Sequence, residues 1–132
     1  MLHGIKHDEA YVYWWIVGPM LQKAIDKSQH DMELPDVFNA VVNRDMQLWT
    51  WVTGEGIKAA CVTQIITTPR KKICSLPLIG GSNMRDFLKV EESIVEWARE
   101  QGCVQLEGYC RDGWMRVLKN WKKVWTTMRR DI

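Results

Sequence analysis

Glu107 and Tyr109 stand two residues apart in a stretch, residues 103–110, where apolar and polar residues alternate. On a strand this spacing puts both side chains on one face, a proton-accepting carboxylate beside a proton-donating phenol. The same pair also fits a plainer role as polar groups on a wetted sheet face. A second candidate is Gly80-Gly81-Ser82-Asn83, ahead of a long helical pattern, where backbone amides can meet an anion. The alternative there is a loop that needs positive φ. Arg70-Lys71-Lys72 and the later Lys119, Lys122, Lys123, Arg129 and Arg130 can contact phosphates if they converge, or can simply keep the surface soluble. A nucleic-acid partner would rest on that charge alone.

Other chemistries find little support. His3 and His7 are close in sequence, His30 is distant, and no acid or cysteine completes a ligand spacing around them, so no metal site is expected. Cys61, Cys74, Cys103 and Cys110 show no metal-knuckle spacing, and each sits in an apolar context that suits a reduced, buried thiol. No serine or cysteine occupies a nucleophile elbow and no P-loop pattern occurs, which leaves hydrolase and NTPase readings without support.

The elements that must position these residues follow from periodicity. The sequence has 132 residues, 46% hydrophobic and 26% charged, which fits one folded domain over residues 1–132. No apolar run is long enough to cross a bilayer and no secretory leader is visible, so a soluble protein is expected. Residues 1–6 read as a strand. A helix from Asp8 and Glu9 is expected to break at Gly18-Pro19, a second stretch runs to Lys27, and Pro35 opens a short amphipathic helix. Residues 48–53, 57–67 and 72–79 form an antiparallel meander, whose third strand should bulge or end at Pro77 because proline removes a ladder donor. A long helix ends at Gly102. A strand over 103–110, a short helix over 111–121 and a last strand over 124–130 complete the chain.

Charge is polarised, net +5 over residues 111–132 and −3 over the remainder. Eight tryptophans outnumber tyrosine and phenylalanine together, which favours a protein that docks against something. Trp14, Trp15, Trp49, Trp51, Trp121 and Trp125 are expected mostly in the core. Trp14 and Trp15 are adjacent on one helix and cannot both face inward, which marks a candidate docking surface.

This order of elements resembles the GNAT superfamily of N-acetyltransferases. The resemblance implies an α+β fold, with a mostly antiparallel mixed sheet of six strands flanked by four helices, splayed open between its fourth and fifth strands. It implies acetyl-CoA in that split, its pyrophosphate at the N-terminus of the following helix, where N–H groups and the helix dipole favour phosphate. The matching residues are Leu78, Ile79, Gly80, Gly81, Ser82 and Asn83. Beside the split, Glu107 is the implied base and Tyr109 the implied acid. Residues 111–119 are similar to a small single-domain group common in tailed-bacteriophage genomes, labelled acetyltransferase-like and found among virion and assembly genes.

The sequence also departs from the family. Its pyrophosphate loop has Arg or Gln three residues before a glycine, and Gly or Ala two after it. A frame on Gly80 puts Pro77 and Ser82 at the outer positions, and one on Gly81 puts Leu78 and Asn83 there. No tyrosine occurs in residues 117–121, where many members carry the acid. The reading that follows is a phage virion-associated or assembly component, partnered by phage structural proteins or by itself, in the host cytoplasm or virion, with catalysis weak or absent. The alternative is a working acetyl-CoA-dependent N-acetyltransferase acting on an amine.

Overall fold

A computed structural model describes residues 1–28, 31–81 and 84–132. Its elements are β1 (Leu2–Ile5), α1 (Ala10–Asp26), α2 (Leu34–Val42), β2 (Gln47–Thr53), β3 (Gly56–Thr67), β4 (Lys72–Gly81), α3 (Met84–Glu100) and β5 (Cys103–Glu107), then a 3-10 turn, Asp112–Arg116. The sheet order is β1-β2-β3-β4-β5, antiparallel through β4, with β5 added parallel to β4. The expected meander is present and the fold is mixed α+β. Among the described residues there are five strands and three α-helices, fewer than the six and four expected.

Helices cover both faces of the sheet. On one, Val17 and Leu21 of α1 and Val37 and Val41 of α2 pack against Leu48, Val62 and Leu78. On the other, Phe87, Val90, Ile94 and Ala98 of α3 pack on Cys61, Cys74 and Leu76. Leu76 and Leu78 are two apart yet serve opposite faces. The register explains this: Val62 pairs with Leu78 and Gln64 with Ser75, so β4 carries one extra residue there. The bulge falls at Pro77, where the sequence led us to expect it, and it flips the facing of β4.

Three expectations need correction. Gly18-Pro19 does not break the first helix, since α1 runs through both. The carbonyl left without its donor by Pro19 belongs to Trp15, an exposed residue that water can satisfy. The helix expected over 111–121 is only the short 3-10 turn. Residues 124–130 form no strand despite their β-branched run, and the outer edge of β5 stays unpaired.

Local signals otherwise hold. Pro35 sits in the first turn of α2, and the Asp36 carboxylate accepts the Glu33 N–H at 2.9 Å, satisfying a helix-end donor. Gly102 ends α3 with φ at 88°. No described helix is long and apolar enough to cross a membrane.

Candidate functional site

The site begins where β4 loses a neighbour. Over residues 72–75 β4 pairs with β3 on one edge and β5 on the other, ending at Ser75 opposite Glu107. Beyond that point the chain leaves β5, and residues 76–81 keep only β3. Alternate backbone N–H and C=O groups on the freed edge therefore point into a split rather than into a ladder. The bulge at Pro77 sits at the start of this unpaired stretch, and α3 starts close after its end.

The split widens into a cleft of about 1270 Å³. Pockets for drug-sized ligands span about 300–1,000 Å³, and this cleft is wider and open to solvent. Trp49, Trp51, Ile79, Phe87 and Trp114 line its apolar part. Trp49 is held firmly: its Nε1–H donates to Thr63 Oγ1 at 2.9 Å, the Thr63 hydroxyl donates to Gln47 Oε1 at 2.9 Å, and Trp97 meets the ring edge-on at 5.0 Å. Trp114 packs edge-on against Phe87 with centroids 5.8 Å apart, which ties the 3-10 turn to α3. Trp121 then donates from Nε1 to Glu91 Oε1 and fixes the start of the C-terminal segment.

Glu107 and Tyr109 both line this cleft. Glu107 is half-buried at the last paired position of β5, the apex of the split, whereas Tyr109 is 63% exposed beyond the strand end. The expected strand over 103–110 stops at Glu107, so the two are no longer consecutive residues on one strand face. Leu78, Ile79, Gly80 and Gly81 line the cleft as well, though Leu78 is buried toward α1. Ser82 and Asn83 lie outside the described residues, as does His30.

The two glycines belong to β4, not to a loop, and neither has positive φ. Close approach explains them instead. A Cβ on Gly80 would sit 2.3 Å from the Met20 carbonyl oxygen of α1, and one on Gly81 would sit 2.6 Å from the Ala59 Cβ. Both contacts are long-range, so no local pattern reveals them.

Basic side chains frame the rim. Lys23 and Lys27, Arg111, Lys122, Lys123 and Arg129 line the cleft against the acids Asp31, Glu107 and Asp112. Arg129 Nη1 meets Asp31 Oδ1 at 2.8 Å, carrying the C-terminal segment across to the stretch after α1, and the carboxylate raises the guanidinium pKa further. Arg70 and Lys71 lie at the β3–β4 turn and are not part of the cleft, so the basic clusters do not all converge.

The cysteines are all free. Cys61 and Cys74 are buried, and burial pushes both thiols up to about 12, far from a nucleophile's range. Cys103 is buried too, but Cys110 is exposed, against expectation. Trp14 packs edge-on to Phe38 at 4.9 Å, whereas Trp15 is 77% exposed. Trp125, expected in the core, is 70% exposed. Sequence reasoning missed the cleft roles of Trp49 and Trp51, although their spacing on one strand face was a usable signal.

No family model and no curated relative matches the sequence. Solved structures do match in fold. An aminoglycoside acetyltransferase from an uncultured soil metagenomic sample, in complex with sisomicin, superposes with a TM-score of 0.73 at 5% identity, covering 100% of this chain and 95% of that one. A ribosomal-protein-alanine N-acetyltransferase from Brucella melitensis gives 0.71 at 9% identity, covering 100% and 98%. A Trypanosoma brucei acetyltransferase gives 0.69 at 10% identity, covering 100% and 99%. At such identities the likeness establishes the fold alone: this chain shares the fold of these acetyltransferases.

Proposed function

We propose that this chain binds acetyl-CoA in the split between β4 and β5 and transfers the acetyl group to an amine. The observation that carries the reading is the unpaired edge of β4 over residues 76–81, opening into a large, cation-rimmed cleft. An extended ligand arm bearing amides can add to such an edge as a strand would, and a net cationic rim favours its phosphates. The residues present therefore fit acyl-CoA even though the glycine pattern does not follow the family's loop.

Acyl-CoA supplies an activated thioester carbonyl. Unpaired main-chain groups within residues 76–81 would hold its arm, and Trp49 and Phe87 line the apolar part of the cleft. Glu107, at the apex, takes the proton an acceptor ammonium must lose before it can attack. Tyr109, at the mouth, holds the proton that a leaving thiolate needs. Its exposure suits a group that becomes enclosed once substrate covers it.

Titration calorimetry with acetyl-CoA, followed by an acetylation assay, tests this reading. The amine screen begins with an aminoglycoside and an alanine-initiated peptide, the acceptors named for two of the similar structures. Micromolar acetyl-CoA binding is expected, with Glu107→Gln lowering turnover by roughly 10²–10⁴-fold at unchanged acetyl-CoA affinity. Absence of binding at millimolar ligand overturns it.

One observation favours a second, non-catalytic reading, a protein that docks on a partner or on itself. Tyr11, Val12 and Trp15 leave an exposed apolar row on α1, and Val124, Trp125 and Met128 leave another on the C-terminal segment. Such surface suits a protein or self-association partner. Failure to bind acetyl-CoA together with concentration-dependent association in sedimentation would favour it.

A further inference from the structure

After Leu118 the chain makes no further backbone–backbone hydrogen bond among the described residues. Residues 119–132 therefore lie across the fold as a strap, fixed by side chains at two places rather than by a ladder. Arg129 holds the far end through Asp31. The near end is held at Trp121, whose indole N–H donates to Glu91 of α3. The same ring reaches the end of β5: a Cβ on Gly108 would lie 4.0 Å from Trp121 Cζ3, in ordinary van der Waals contact. Gly108 stands between Glu107 and Tyr109.

That contact sets two amines beside the proposed chemistry. Lys122 and Lys123 follow Trp121 directly, and consecutive Cα atoms are only about 3.8 Å apart. Each carries its ammonium on a flexible four-carbon stem. Both line the cleft with Glu107 and Tyr109, both are exposed, and neither has an ion pair among the described residues. A tethered amine meets the site at an effective concentration that an amine free in solution does not reach.

We propose that the chain acetylates itself at Nζ of Lys122 or Lys123, the strap serving as an internal acceptor. This rests on the acetyltransferase reading and names its acceptor class, a lysine side chain on an extended polypeptide. Glu107 takes one proton from the ammonium and passes it to water. The lysine Nζ then forms the new N–C bond as the thioester C–S bond breaks. Tyr109 gives its proton to the departing thiolate, and the second proton that the nitrogen loses, as the amide forms, restores the phenol.

The test is incubation of the full chain with acetyl-CoA, followed by peptide mapping in a mass spectrometer. Acetylation at Lys122 or Lys123 is expected at least about tenfold faster than at Lys71, which lies outside the cleft, and at a rate independent of protein concentration. Glu107→Gln should slow it to the Lys71 rate. Equal labelling of Lys71 means unassisted attack on the thioester and overturns the inference, as does a rate that rises with protein concentration. A second readout needs no ligand: a carbodiimide, which joins an amine to a touching carboxylate, should couple Lys122 or Lys123 to Glu107. Coupling of these lysines to other carboxylates only, or to none, overturns the inference as well. Acetyl-CoA bound in calorimetry with both lysines unmodified overturns self-acetylation alone, whereas no acetyl-CoA binding overturns the acetyltransferase reading and self-acetylation with it.

Discussion

The two halves of β4 are built for different purposes. Residues 72–75 are paired on both edges and include Cys74 and Ser75, nearly inaccessible to water. Residues 76–81 keep a single partner strand, begin with a bulge and border the cleft. Both halves bury apolar side chains, so burial alone does not tell them apart. The difference is in backbone hydrogen bonding, and it shows that the candidate site arises by withdrawing one strand from a sheet that stays packed on both faces.

The largest expected effect comes from Gly80. A valine there would drive its Cβ against the Met20 carbonyl oxygen, a backbone atom that moves only with α1. Gly80→Val is expected to lose about 3 kcal/mol or more in urea unfolding, whereas Gly54→Ala, at a turn with open space around it, changes little. A mild Gly80→Val would mean that the open half of β4 is not locked to α1, and the contrast would fail.

The doubly paired half should respond to alkali. Burial raises the Cys74 thiol from 9.0 to about 12. A raised thiol pKa means that the folded chain keeps protons that the unfolded chain has released, so stability is intact below about pH 9 and falls as pH climbs toward 12. Unfolding midpoints measured across that range should decline, and Cys74→Ala should make the decline shallower. A flat profile in the unaltered chain would mean that water reaches this half as well.

Pro77→Ala should have the smallest effect. Proline restricts the unfolded chain, so its loss is expected to cost about 0.4–1 kcal/mol by thermal unfolding. The bulge should survive, because straightening β4 would send either Leu76 or Leu78 to the wrong face of the sheet. Cross-strand contacts observed by NMR check this: Val62 should still face Leu78, and Gln64 should still face Ser75.

Much of this was legible in the sequence because its cause is local. Pro35 starts α2, Gly102 stops α3, and Pro77 marks the bulge, each through a restriction that one residue carries by itself. What the sequence misled on depends on distant partners. Gly18-Pro19 looks like a break until Leu34 and the sheet hold α1 together. Residues 124–130 look like a strand but have no ladder, and Gly80 looks like a loop glycine until Met20 is seen against it. For the candidate site, Glu107 and residues 78–81 could be found from the order of elements. The cation rim could not, because Lys23 and Lys122 are brought to one cleft only by the path of the C-terminal segment.

The most direct test of the split as the acyl-CoA site is hydrogen exchange of the β4 amides with and without acetyl-CoA. Binding along the free edge predicts slower exchange within residues 76–81, with residues 72–75 unchanged because both of their edges are already paired. Unchanged exchange over 76–81 at saturating ligand, or protection confined to other elements, would contradict the account.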